Sequence, residues 1–76
     1  MYWIDTTAES HGYPIQTSFI CDSPSDIPNL PTSTTEGVLQ GDDEVASRKC
    51  NKGSFCLCIE DGSGWFLNSQ DQWIEV

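Results

Sequence analysis

Four cysteines are the residues in this chain best equipped for chemistry: Cys21 stands alone, while Cys50, Cys56 and Cys58 follow a C-x5-C-x-C spacing. Four thiols are a usual ligand set for structural zinc, but the usual ligand pairs are C-x2–4-C, in tight knuckles that aim both sulfurs at one point. A C-x-C inside an alternating strand instead sets both sulfurs on one face, roughly 6–7 Å apart along the strand. That separation can hold two ligands but lacks the knuckle turn. A second alternative is a disulfide from Cys21 or Cys50 to one of the strand cysteines. The third is that all four are small buried hydrophobes, as free cysteines often are. The spacing favours this last reading. The expectation is no metal and no cofactor, with Cys21, Cys50, Cys56 and Cys58 as the residues a zinc ion would use.

The other candidates are weaker. His11, the single histidine, sits in "ESHGYP", a polar turn with no serine or cysteine motif nearby. Nucleophilic catalysis needs a positioned base beside its nucleophile, so His11 reads as an exposed turn residue. Asp42, Asp43 and Glu44 form "GDDE", which lacks the twelve-residue calcium-loop pattern and reads as a solvated acidic loop. The "GSG" at 62–64 falls in a hairpin turn and opens no helix, so it is no phosphate loop. One subunit of 76 residues leaves little room for a ligand pocket on the order of several hundred Å³. An enzyme is not expected.

Size and charge set the frame for these residues. The 76 residues make one small domain, 1–76. A chain of this size buries only roughly 60 % of its unfolded surface, so it is expected to need a staple, a metal or association for stability. Apolar residues are 37 % of the chain and include eight aromatics, enough for one small core. Twelve Asp and Glu stand against three Lys and Arg, a net charge of −9. All the basic residues, Arg48, Lys49 and Lys52, lie within five positions, and residues 1–47 carry eight carboxylates and no Lys or Arg. Unaided nucleic-acid binding needs cations to neutralise phosphate and is disfavoured. Anionic membrane surfaces are disfavoured for the same reason. An acidic surface suits solubility and steering toward a basic partner. "MYWIDTTAES" has neither a basic nor an apolar leader region, and no apolar run approaches the roughly 20 residues of a membrane span. The chain is expected to be made in a cytoplasm, with its thiols reduced.

The positioning elements read as strands. "MYWID" and "YPIQTSFIC" alternate around aromatics, with Tyr2 and Ile4 on one face, Trp3 on the other, and Ile15, Thr17, Phe19 and Cys21 sharing a face. Gly12 and Pro14 punctuate a connection between them. Residues 22–47 contain three prolines and a Ser/Thr run and lack a sustained period, so an ordered irregular acidic loop is expected there. Ile27 and Leu30 would tie that loop to the core. In residues 50–76, Phe55, Leu57 and Ile59 alternate with Ser54, Cys56, Cys58 and Glu60. Turns at "EDGSGW" and "NSQDQ" then separate "WFLN" and "WIEV". The pattern predicts a three-stranded antiparallel meander, which is stable only if one face is covered. The fold class is therefore all-β, a single small domain with the C-terminal meander packed on the N-terminal strands and a long Pro-rich loop. Trp3, Trp65, Trp73, Tyr2 and Tyr13 exceed what so small a core can hide, so some belong at an interface. The expected docking surface is the segment 24–37 with exposed tryptophans, and its candidate protein-binding residues are Ile27, Leu30, Trp65 and Trp73.

The residues Asp26, Ile27, Leu30, Pro31 and Thr32, then Gly53 and Ser54, then Leu67, Asn68, Ser69, Trp73 and Glu75 carry a resemblance. In this D-I-x-x-L-P-T, Gly-Ser strand and L-N-S-x-x-x-W-x-E pattern the chain resembles a family of short proteins encoded by bacteriophages and prophages. The similarity covers residues 22–76 and fades toward the N-terminus. Family members resemble small virion components among head and tail structural proteins, without an assigned enzymatic activity. They have aliphatic residues where this chain has Cys56 or Cys58, which again points away from metal. The resemblance implies a non-enzymatic structural or accessory protein that binds a capsid, tail or fibre protein, or a second copy of itself, and resides in the virion. The alternative is a small acidic phage-encoded inhibitor of a host defence protein that imitates nucleic acid. Mimicry wants a continuous acidic stripe, whereas these acids are scattered apart from Asp42–Glu44 and Glu60–Asp61.

Overall fold

The computed structural model describes the backbone of residues 1–10 and 13–76, and the side chains outside residues 6–15. Five strands make one sheet in the order β1-β2-β3-β4-β5, so the fold is a small, compact all-β domain. They are β1 (Tyr2–Ser10), β2 (Tyr13–Cys21), β3 (Phe55–Cys58), β4 (Gly64–Leu67) and β5 (Trp73–Glu75). β1 and β2 pair antiparallel, with register shifts between Ile4 and Thr6 and between Ala8 and Glu9. Such bulges bend a long ribbon and increase its twist. His11 and the Gly12 turn lie outside the described residues.

β2 and β3 pair in parallel, Ser18 to Phe55 through Cys21 to Cys58. β3–β4 and β4–β5 are antiparallel. The N-terminal strands therefore do not pack on the face of the C-terminal ones, as expected from the sequence, but extend the same sheet edge to edge. Parallel neighbours need a long crossover between them, and residues 22–54 provide it. This crossover is what covers the sheet. The molecule measures 35 × 29 × 19 Å, and its thin dimension suits one sheet with one layer on top, since packed layers lie about 10 Å apart.

Three rows of side chains form the covered face. Tyr2, Cys21 and Cys58 are in register across β1, β2 and β3, and the next row runs Ile4, Phe19, Cys56 and Trp65. Leu67 faces Trp73 in the third. Tyr2, Phe19, Cys21, Cys56, Cys58 and Leu67 are all buried, together with Ile27, Leu30, Ala46 and Cys50 from the crossover. Tyr2 and Phe19 meet edge to face at 5.8 Å, and Phe19 and Trp73 at 6.0 Å, geometries that ring quadrupoles favour.

Residues 22–54 hold a six-residue 3-10 helix, Pro24–Asn29, where the sequence predicted a short turn within an irregular segment. Its bonds are of the short type, Asp26 N to Ser23 O at 3.0 Å and Leu30 N to Ile27 O at 3.1 Å. Pro24 and Pro28 have no N–H to donate, so a short 3-10 segment forms where a longer helix could not. The cover is then fastened by polar contacts. The Tyr2 hydroxyl donates to Val38 O at 2.7 Å, and the Trp73 indole N–H donates to Pro31 O at 3.0 Å. Gly37 lies where a side chain would strike the Tyr2 hydroxyl, Asn29 O and Pro31 Cδ. Among the described residues, no buried side-chain nitrogen or oxygen lacks a hydrogen-bond partner.

Candidate functional site

The strand β3 positions two different things on its two faces. Inward, Cys56 and Cys58 meet Cys21 of β2, and the three sulfurs all lie within 4.8 Å of one another. Register explains the meeting, because Cys21 is the direct neighbour of Cys58 and side chains two apart on a strand share a face. The Cys21 and Cys58 sulfurs are 2.8 Å apart, and the Cys21 thiol also lies 3.3 Å from the Ser23 carbonyl. All four cysteines are buried and free. Cys50 is not part of the group. Its thiol points at Pro31 O, 3.6 Å away, so the four-sulfur zinc set of the sequence is split three and one.

Burial pushes the Cys56 thiol up to about 12 and raises the Cys50 thiol. Cys21 is raised as well, first by burial and then by its hydrogen bonds to Cys58 and Cys56. A thiolate in an apolar interior loses its hydration without a compensating cation. Cys21, Cys50 and Cys56 are therefore neutral thiols at neutral pH, and neutral thiols are poor nucleophiles.

Outward, the same sheet shows an apolar face. Phe55, Phe66 and Ile74 are in register across β3, β4 and β5, and Trp3, Ile20 and Leu57 are in register across β1, β2 and β3. Leu57 is 41 % exposed, Phe66 45 % and Ile74 47 %, with Ile59 at the end of the row at 59 %. Phe55 and Phe66 meet at a tilt, ring centroids 4.8 Å apart, and the Phe55 ring lies across Gly64, where an added Cβ would meet it at 3.0 Å. Trp3, Ile20 and Phe55 are half-buried on this face, and Leu57, Phe66 and Ile74 stand more open. Contiguous exposed apolar side chains on a sheet face are candidates for an interaction surface.

The residues expected at the docking surface are placed differently. Ile27 and Leu30 belong to the crossover and are buried between it and the sheet, at 7 % and 4 % exposure. This places them as anchors of the loop rather than as exposed contact residues. Trp65 and Trp73 are half-buried and pack against the core from its margin. The Trp65 indole donates to Ser63 Oγ at 3.0 Å, so both β4 and β5 tryptophans have internal partners. The sequence reading overlooked Phe55, Leu57, Phe66 and Ile74 as surface residues. The signal was present, because the alternation put apolar residues at both parities of β3.

The acidic loop makes no enclosed site. Asp42, Asp43 and Glu44 are exposed, and Asp43 accepts from Ala46 N at 3.2 Å. Asp71 is more structural. Its left-handed backbone, φ 64°, turns its carboxylate toward residues 33 and 34, where it accepts from Ser33 N at 2.8 Å, Ser33 Oγ at 2.7 Å and Thr34 Oγ1 at 2.6 Å. The Thr34 and Ser33 donors hold the Asp71 carboxyl far below the usual carboxylate range. Among the described residues, no helix is long and apolar enough to cross a membrane.

No protein-family model, curated protein or solved structure matches this chain.

Proposed function

We propose that the protein is a non-enzymatic structural or accessory component of a bacteriophage particle, made in the host cytoplasm, and that it docks on a virion protein through the outer face of its sheet. The observation that carries the docking role is the uncovered row of Phe55, Phe66 and Ile74 with Leu57 beside it. The resemblance over residues 22–76 supports the virion as the place. Neutral buried thiols and exposed acids without an enclosing site support binding over catalysis.

Charge favours one occupant over another. Two copies stacked face to face would bring together two chains of net charge −9, and that repulsion opposes self-association at physiological salt. The fitting partner is a different protein, with an apolar patch to meet the stripe and basic residues at its rim. The rim charges would speed and orient the encounter, while the buried apolar centre would supply most of the affinity.

Quantitative mass spectrometry of purified virions from a phage carrying this gene tests the proposal. The expected result is a copy number that is a simple multiple of capsid or tail symmetry, lost in Phe66→Glu while that variant still folds. Expression in infected cells with complete absence from the particle would sink the virion role, and would favour the inhibitor of a host defence protein.

A further inference from the structure

We propose that Cys21, Cys56 and Cys58 form a three-sulfur binding site for copper(I), buried between the sheet and its cover. Three sulfurs lie within 4.8 Å of one another, all on fully buried residues of two paired strands. An ion held at about 2.3 Å by three sulfurs, the usual metal–thiolate distance, needs a triangle of roughly 4 Å edge if it sits in their plane. The group already has that scale. The exception is the Cys21–Cys58 edge, at 2.8 Å. Admitting an ion in the plane of the three sulfurs requires this hydrogen-bonded edge to open.

The donor set chooses the ion. Soft thiolates select copper(I), zinc and iron–sulfur clusters. Structural zinc takes four ligands, and among the described residues no fourth cysteine, histidine or carboxylate belongs to the group. Cys50, the one remaining cysteine, is engaged at Pro31 O. Copper(I) accepts three sulfurs alone. Each thiol that ligates gives its proton to solvent, with no change of oxidation state at sulfur or copper, so binding is coupled to proton release. The site is independent of the docking face, since Cys56 and Cys58 alternate with the outward Leu57 and Phe55.

The test is an anaerobic titration of the reduced full chain with copper(I), competed against bicinchoninate, followed by X-ray absorption of the complex. The expected result is one copper per chain bound by three sulfurs and no nitrogen. Cys21→Ala, Cys56→Ala and Cys58→Ala should each weaken binding by more than the ~10–100-fold that losing a mere supporting partner of a ligand costs. Cys50→Ala should leave it unchanged. Circular dichroism separates a lost ligand from a lost fold, and the spectroscopy on the unaltered chain stands whatever the variants do. Failure to compete with bicinchoninate, a fourth sulfur or a preference for zinc over copper(I) would overturn the site. So would a Cys21–Cys58 disulfide in protein prepared without oxidant.

Discussion

Replacing Leu67 by alanine and, separately, Leu57 by alanine applies one chemical change to opposite faces of the same sheet. Leu67 is 1 % exposed in the core, whereas Leu57 is 41 % exposed on the uncovered face. Truncating a fully buried leucine costs the transfer of the lost carbons plus the cavity left behind, about 3–5 kcal/mol. At Leu57 solvent or a neighbouring side chain fills the space, so only a partial transfer term remains. Three carbons at about 0.8 kcal/mol each, partly covered to begin with, give about 1 kcal/mol. A chain of 76 residues has a total stability of roughly 4–11 kcal/mol, so the first change removes a large part of it and the second little. With a urea slope of about 1 kcal/mol per molar, the midpoint should fall by about 3–5 M for Leu67→Ala, enough to unfold the weaker end of that range without denaturant, and by about 1 M for Leu57→Ala. Urea unfolding followed by tryptophan fluorescence reads both. Equal losses would mean that Leu57 is buried in the isolated chain, and the docking face would go with that result.

Gly37→Ala should cost about 1–3 kcal/mol by overpacking, because the new methyl meets Asn29 O at 2.7 Å and Pro31 Cδ at 2.8 Å; a lowered melting temperature in calorimetry checks it. Trp73→Phe keeps most of the apolar contact but leaves the Pro31 carbonyl with the weak Cys50 thiol donor alone, and should lose about 1 kcal/mol in the same urea assay. Asp71→Asn tests the carboxylate held below its usual range by Thr34 and Ser33. A lowered folded value contributes stability that is present above the unfolded value of about 3.9 and lost as pH falls through the folded one. The variant should therefore be less stable than the parent at neutral pH, with the gap closing only in strong acid. A gap that is constant with pH would refute the role of the charge.

Strand content was legible because period-two alternation and turn residues agree along the chain: "FCLC", "GWFL" and "WIE" became strands. The pairing of the halves was not. Alternation says which residues share a face, but no local pattern says that Cys21 will lie beside Cys58 in parallel, because that contact is fixed by how the crossover closes. The same limit hid the site. Ile27 and Leu30 read both as loop anchors and as contact residues, and only the position of the crossover over the sheet distinguishes the two. The three-sulfur group depends on the β2–β3 register, so the C-x-C spacing alone suggested two ligands and a missing knuckle. The tryptophans misled for a different reason. Their size suggested an interface, but an indole N–H with a carbonyl or hydroxyl in reach can pack at the core margin, and Trp65 and Trp73 both do so.

The choice of inner face is itself an argument about function. In β3 the larger side chains, Phe55 and Leu57, point outward and the smaller ones, Ser54, Cys56 and Cys58, point inward. The other strands do bury bulk on this face, with Tyr2, Phe19 and Leu67, so the small residues are particular to β3. The crossover explains why small residues serve here. It brings Ile27, Leu30, Pro31 and Ala46 onto the sheet, and a packed interior has a fixed volume to share, so bulk supplied by the cover excludes bulk on β3. That accounts for the cysteines without accounting for Phe55, Phe66 and Ile74, which no residue of the cover meets. Exposed aromatic and β-branched residues on a sheet face invite aggregation, so a soluble domain with no partner gains from polar side chains there. Under the proposed docking role, the second apolar face across β3, β4 and β5 is the surface a partner protein would cover.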